Sequence, residues 1–307
     1  MNRRLTEFFK IPESVRVPYF GGKWYRLMVK LDNQSILEEK LPADPLNREP
    51  REETVTVSLT SFPTRIPYVH LAIKSLMLQT YKPDRIVLWL AEDQFPTKEL
   101  PAELLELQQL GLEIRYCSDN LFGHKKYFRA LMEQEDNELI ITYDDDIIYP
   151  PNSIERLIKA HKKFPHSIIC NRAQAFLDGG DAMINPGKWK TISSEGVGKE
   201  SYRLCPSTGG GCLYPKGALH PDARDPEKIK TMALRGDDLW IMFMAYQQGT
   251  SLVKTRKYHR SFTVVNRTQE EQLATGNILE NAYLGMLEKL IHAYPEAWQK
   301  ITADTKS

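Results

Sequence analysis

Ile140-Ile141-Thr142-Tyr143-Asp144-Asp145-Asp146-Ile147-Ile148-Tyr149-Pro150 joins an apolar, β-branched run directly to three carboxylates. The pattern predicts a buried strand over Glu138–Tyr143 that delivers its acids at the carboxyl end. Adjacent like charges beside a core are costly unless a cation or hydrogen-bond donors compensate them. Asp144 and Asp146 are two residues apart, face the same way in extended backbone, and can share one divalent ion. An acidic turn is the plainer account of the same letters. Position at the end of a central strand is what favours the metal site.

Working outward, Thr54 to Leu59, Arg85 to Leu90, Leu112 to Cys117 and Ser167 to Cys170 repeat the strand signal. Between them, Val69 to Leu78, Leu100 to Leu110, His124 to Met132 and Ile154 to Phe164 carry helical spacing. In the last, Ile154, Leu157, Ile158 and His161 keep one face, with Asn152 or Ser153 available as N-cap. Strands alternating with helices predict an α/β fold, a mostly parallel central sheet with helices on both faces. Ligands of such sheets sit beyond the carboxyl ends of the strands.

The first fifty residues read as irregular, with Gly21-Gly22 and then a polar, proline-bearing stretch from Leu41 to Arg51. From about Asn171 to Asp237 the chain is rich in Gly, Pro and polar loops, and a long helical stretch follows from Asn277 to Ile301. The expected organisation is an N-terminal extension and connection over 1–53, a catalytic domain over 54–276, and a C-terminal helix over 277–307 packed on it.

Lys plus Arg is 41 and Asp plus Glu is 40 in 307 residues, so no global field gathers nucleic acid. Cys117, Cys170, Cys205 and Cys212 form no CxxC, which speaks against a zinc site and a disulfide framework. No apolar run approaches the roughly 20 residues that span a bilayer, so the expectation is a cytoplasmic protein with reduced thiols. Arg3, Arg4, Phe8, Phe9 and Lys10 make a basic, aromatic start that allows marginal peripheral contact with the inner face of the cell membrane. A start that packs on the domain is the plainer account.

Val57-Ser58-Leu59-Thr60-Ser61-Phe62-Pro63, the Ala72 to Gln79 helix, Tyr81-Lys82-Pro83-Asp84-Arg85-Ile86 and the Asp144 to Asp146 run resemble bacterial GT-A glycosyltransferases of the family 2-like group. The resemblance is strongest over 54–170 and patchier through 200–260. It implies a Rossmann-like nucleotide-diphospho-sugar transferase fold, with a nucleotide-binding half over 54–170 and an acceptor half over 171–276. It implies hexosyl transfer from a nucleotide-sugar donor, UDP-linked, to a glycan or lipid-linked saccharide acceptor in surface polysaccharide synthesis. Mn2+ or Mg2+ would be held by Asp146 and Asp144, with Asp144 and Asp145 near the donor. Thr60, Ser61, Phe62 and Arg65 would line the nucleoside pocket, which without the resemblance reads as an ordinary strand-to-helix turn.

Gly123-His124-Lys125-Lys126-Tyr127 opens a helix, where free N–H groups and lysines make a ready anion site. Lys125 or Lys126 is expected to touch phosphate or pair with the aspartates; solvated lysines are the bland alternative. Pro206-Ser207-Thr208-Gly209-Gly210-Gly211-Cys212 lets backbone approach a ligand, and the resemblance puts Gly210 and Gly211 beside the sugar and acceptor. Leu234-Arg235-Gly236-Asp237-Asp238-Leu239-Trp240 sets two carboxylates at a helix start, where acids also serve as caps. The family's late acidic motif makes Asp238 the base of an inverting reaction and Asp237 its helper. His259 is the resemblance's third metal ligand, although a lone histidine is more often structural.

Two other readings compete. A sugar nucleotidyltransferase would cradle a triphosphate in a Gly-rich loop after the first strand, where this chain has Thr60-Ser61-Phe62-Pro63-Thr64-Arg65. A non-catalytic nucleotide- or glycan-binding module would not need the Asp237-Asp238 pair as well as the metal motif.

Overall fold

A computed structural model describes residues 23–176, 189–190, 193–257, 263–265 and 276–303. The β-branched and apolar runs form parallel strands β1 (Thr54–Thr60), β2 (Arg85–Ala91), β3 (Leu112–Cys117) and β4 (Glu138–Tyr143). After β5 (Ile147–Ile148) come β6 (Ile168–Cys170), β7 (Ala173–Ala175), β8 (Leu204–Pro206), β9 (Gly210–Tyr214), β10 (Leu252–Lys254) and β11 (Thr263–Val264). The main sheet has seven strands in the order β10-β6-β9-β4-β1-β2-β3, with β9 antiparallel between β4 and β6. Val57 is in register with Ile86 and with Ile141, so β1 sits at the heart of the parallel part. Two small antiparallel pairs, β5 with β11 and β7 with β8, flank it.

The helices are α1 (Lys23–Glu38), α2 (Val69–Met77), α3 (Ala102–Gln109), α4 (Lys125–Glu133), α5 (Ser153–His161), α6 (Pro226–Met232), α7 (Asp237–Gln248), α8 (Gly276–Ala293) and α9 (Pro295–Ala303). Successive residues of β4 feed opposite cores, as a sheet covered on both faces requires. Ile141 joins Val57, Leu59, Ile73, Leu76 and Leu157 on the α2 and α5 side. Ile140 joins Tyr127, Trp240, Phe243 and Leu290 on the α4, α7 and α8 side. Each buried aliphatic side chain contributes about 1.5–3 kcal/mol, which lets the sheet tolerate a crowd of charges at its edge. α7 is buried from Leu239 through Tyr246, the mark of a helix enclosed all round. No described helix is long and apolar enough to cross a membrane.

Three elements differ from the sequence pattern. The supposedly irregular start holds α1, whose inward face is polar: Asp32, Asn33 and Ser35 are buried with Ile36, while Leu31 and Leu37 are exposed. Its partner is an edge strand that needs hydrogen bonds. Asn33 Nδ2 donates to the Val264 carbonyl (2.9 Å), and Thr263 Oγ1 donates to Asp32 (2.7 Å). The glycine run is in part β9, a central strand rather than a loop. Its Gly211 adopts φ +95°, where a Cβ would also lie 2.8 Å from the Tyr143 ring; the register shifts between Thr142 and Tyr143, the spot that glycine accommodates. Finally, the C-terminal stretch is two helices broken at Tyr294-Pro295, because proline cannot donate within a helix but starts one well.

Candidate active site

β4 carries the acids to the carboxyl end of the sheet, and its backbone is tied down there. The Asp144 N–H donates to the Tyr149 hydroxyl (2.8 Å), which donates in turn to the Gly209 carbonyl (2.6 Å). The turn before β9 is thereby fixed to the acidic run.

The three carboxylates have different surroundings. Asp145, 5% exposed, accepts from Ser61 Oγ (2.6 Å) and Arg65 Nη1 (2.7 Å). Burial raises its proton affinity, and the Arg65 charge works against that rise. Asp146, 14% exposed, lies 3.2 Å from the same Arg65 nitrogen. Asp144 is 40% exposed, with one oxygen 2.8 Å from Lys126 Nζ. Gly209 makes room for it, since a Cβ there would lie 1.7 Å from Asp144 Oδ2.

The second acidic pair begins α7. Lys126 Nζ, buried, is 2.9 Å from Asp237 Oδ2 as well as touching Asp144, so one ammonium bridges two motifs far apart in sequence. Burial alone would lower the proton affinity of Lys126, but the aspartates around it outweigh burial and keep it charged. Burial likewise opposes ionisation of Asp237, yet Lys126 holds its carboxyl below the usual carboxylate range. Burial, and then the charge of Asp237, push the Asp238 carboxyl up to about 7. Thr208 serves both: its N–H donates to Asp238 Oδ1 (2.8 Å), and its hydroxyl lies 2.7 Å from Asp237 Oδ2 and from Asp238 Oδ1.

His124 braces this arrangement. It is fully buried, and burial lowers its proton affinity. Its Nε2 donates to the Ala233 carbonyl (2.8 Å), so Nδ1 accepts from the Tyr127 hydroxyl (2.6 Å). The start of α4 is thus clamped to the loop that leads into α7. Gly123 allows the approach, for a Cβ there would stand 3.2 Å from Asp237.

The structure thus gathers two polar clusters that meet in the chain at Asp144-Asp145: Ser61 and Arg65 with Asp145 and Asp146, and Lys126 with Asp144 and Asp237, which Thr208 joins to Asp238. Phe62 packs under the Arg65 guanidinium, 5.1 Å from the ring centre. Thr60 donates to the Trp89 carbonyl (2.8 Å) and serves the sheet. Lys125 donates to Asn120 Oδ1 (3.0 Å), within the field of Asp145. Gly210 and Gly211 are buried strand residues whose Cβ positions approach Arg172, and Tyr143 with Asn171. The residues of that run that touch the acids are Thr208 and Gly209. His259 and the basic N-terminal residues Arg3 to Lys10 lie outside the described residues.

Thr208, Tyr149 and Tyr283 escaped the sequence reading. Tyr283, on α8, faces the acidic pair: burial and then the Asp238 charge push its hydroxyl upward. No motif marks it. The helical spacing of Tyr283, Met286, Leu287 and Leu290 predicts a buried face, without saying what that face meets.

Hard divalent ions take oxygen ligands, and the Asp144 and Asp146 carboxylates fit that chemistry, with Gly209 leaving Asp144 its space. Among the described residues no group of three or more His, Cys, Asp or Glu is placed to hold an ion.

Residues 62–220 match the family described as Glycosyl transferase family 2, a span that includes Asp144 to Asp146 and ends before Asp237. No curated protein matches the chain in sequence. Among solved structures, a mannosyltransferase from Pyrobaculum calidifontis in complex with GDP-Man and Mn2+ is 11% identical, covering 92% of this chain and 83% of its own, at TM-score 0.42. TarS from S. aureus is 12% identical over 80% of this chain and 74% of that one, at TM-score 0.43. The 4-diphosphocytidyl-2C-methyl-D-erythritol synthase from Anaerococcus prevotii is 15% identical over 76% and 99%, at TM-score 0.45. Likeness this distant says nothing of what the present chain binds. The family match spans more than half of the 307 residues and agrees with the mostly parallel α/β sheet: the fold is of the GT-A type, and the chain belongs to glycosyl transferase family 2.

Proposed function

We propose that this glycosyltransferase moves a hexosyl group from a UDP-linked donor to an acceptor hydroxyl with inversion, using Asp238 as the base. One observation carries the reading: two adjacent carboxylates at the start of α7 have unlike surroundings. Lys126 lies 2.9 Å from Asp237 and favours its ionised form, whereas Asp238 has the neutral donors of Thr208 and is pushed up to about 7 by burial and by the Asp237 charge. A base works best when its proton affinity is near the working pH. Asp238 would take the proton of the attacking hydroxyl, while Asp237 orients the acceptor.

Thr60, Ser61, Phe62 and Arg65 would face the nucleoside, and the bridging charge of Lys126 would attract the diphosphate. Asp144 and Asp146, with His259, would hold Mn2+ or Mg2+, which offsets negative charge gathering on a departing diphosphate. On this reading 54–170 is the nucleotide half, 171–276 the acceptor half, and 277–307 a helical cover. The acceptor is a glycan or lipid-linked saccharide of the bacterial surface, met in the cytoplasm at the membrane.

Incubation with a panel of nucleotide sugars and Mn2+, followed by assay of free nucleoside diphosphate, tests this. Slow donor hydrolysis that stops on chelation is expected, with UDP-sugars fastest. Full turnover in EDTA would remove the metal. Pyrophosphate exchange in place of diphosphate release would make the chain a nucleotidyltransferase, and silence with every donor would leave a binding module.

A further inference from the structure

The acidic pair of α7 poses a problem in hydrogen counting. Thr208 Oγ1 stands 2.7 Å from Asp237 Oδ2 and 2.7 Å from Asp238 Oδ1. A hydroxyl has one hydrogen and can satisfy one oxygen with it. With both carboxylates ionised, one of these contacts would set lone pair against lone pair. Thr208 is 1% exposed, so little water screens the repulsion. Asp237 is the ionised member, because Lys126 Nζ lies 2.9 Å from that same Oδ2. The hydroxyl hydrogen therefore goes to Asp237, and a proton on Asp238 relieves the second contact.

When Asp238 is ionised the preference reverses. The hydroxyl can rotate towards Asp238, where it joins the Thr208 N–H already 2.8 Å away, while Lys126 alone serves Asp237. We propose that Thr208 is a positioning residue whose single hydroxyl hydrogen alternates between Asp237 and Asp238, and so fixes which carboxylate receives the acceptor proton. The step balances: the acceptor oxygen bonds the anomeric carbon as the bond to the diphosphate breaks and the diphosphate leaves with its electron pair, the acceptor O–H breaks, its proton binds Asp238, and the threonine hydrogen returns to Asp237. No proton leaves Thr208.

Other groups around the pair do not share the neutral range. Asp238 is faced by Asp237, by Lys126 from α4, by Cys205 of β8 and Cys170 of β6, and by Tyr283 of α8. Lys126 is held charged, and burial pushes both thiols and the Tyr283 hydroxyl upward. His124, beside Asp237, is held neutral by burial. A group titrating near neutral pH in this cluster is then Asp238.

The inference rests on the proposed function only for calling Asp238 the base. Difference infrared spectroscopy of the full chain reads the protonated carboxyl directly, with Asp238→Asn identifying its band. Thr208→Val deprives the anion of one donor, so its midpoint should rise by about one pH unit, and the acid limb of diphosphate release should move with it. Thr208→Ser should restore both. Thr208→Ala replaces the valine variant if thermal melting shows that variant unfolded. An unmoved midpoint in the valine or alanine variant overturns the role of Thr208, as does failure of serine to restore it. A wild type that releases no diphosphate refutes the transfer reaction instead, and the infrared titration still decides Thr208.

Discussion

The acids after β4 and the acids at the start of α7 are the same residue type at the same end of one sheet, yet they are held in different ways. Asp145 and Asp146 share the guanidinium of Arg65, and Asp144 leans on Lys126. Asp238 has a backbone N–H and a hydroxyl, with the like charge of Asp237 acting on it more strongly than the opposite charge of Lys126. An adjacent cation offsets part of the cost of ionising a buried carboxylate, whereas neutral donors offset less of it. The first group is paired with cations, and Asp238 is not paired directly with one. Lys126 is where the two meet.

The largest effect should come from Asp238→Asn, which removes the exchangeable member. Transfer should fall by two orders of magnitude or more, with nucleoside diphosphate binding intact by calorimetry. The anomeric configuration of the wild-type product, read by NMR, should be opposite to the donor's; a retained configuration would leave Asp238 as a helix cap. The same variant bears on stability. The folded carboxyl is raised from 3.8 to about 7, so the folded state favours the proton and stability falls as pH climbs through that window. Asparagine carries no such loss, and its melting temperature should exceed that of the wild type above neutral pH.

Gly209→Ala attacks the other group. Its Cβ would collide with Asp144, and displacement of that carboxylate by about an ångström should cost about 10²-fold in kcat. Lys126→Met breaks the joint between the two groups. Removing one partner of a buried pair costs about 3–5 kcal/mol; Asp144 is 40% exposed, so about 2–3 kcal/mol is expected in urea unfolding. The deficit should shrink as acid neutralises Asp237, and a constant deficit would deny Lys126 its electrostatic role. Smallest is Ser61→Ala, which deprives Asp145 of one hydrogen bond. It should cost about 1 kcal/mol and leave the pH profile of turnover untouched.

Much of this was readable before folding. β1 to β4 and the helices between them follow from alternating periodicities, because each covers its own stretch of sheet and hides apolar residues in the usual rhythm. Both acidic groups stood out, since carboxylates at a strand end and a helix start are legible as such. What stayed hidden depends on contacts between distant segments. α1 buries Asp32 and Asn33 against β11, so its pattern looks unlike that of a core helix. β9 is thin in side chains because Gly211 must fit beneath Tyr143. Thr208 and Tyr283 acquire meaning only from neighbours about thirty and forty-five residues away in sequence.

The place of β9 in the sheet bears on the order of assembly. β1, β2 and β3 are adjacent in both sequence and space, whereas Ile140 of β4 pairs with Tyr214. Chains fold from the amino end as they leave the ribosome. The first half of this protein therefore emerges with its three aspartates and with Lys126, but without Thr208, Gly209 or Asp237. When β9 docks between β4 and β6 it brings the Thr208-Gly209 turn with it. Asp237 then follows to claim the second side of the lysine. The closing of the sheet and the balancing of the site's charge should thus be one late step in the life of the nascent chain.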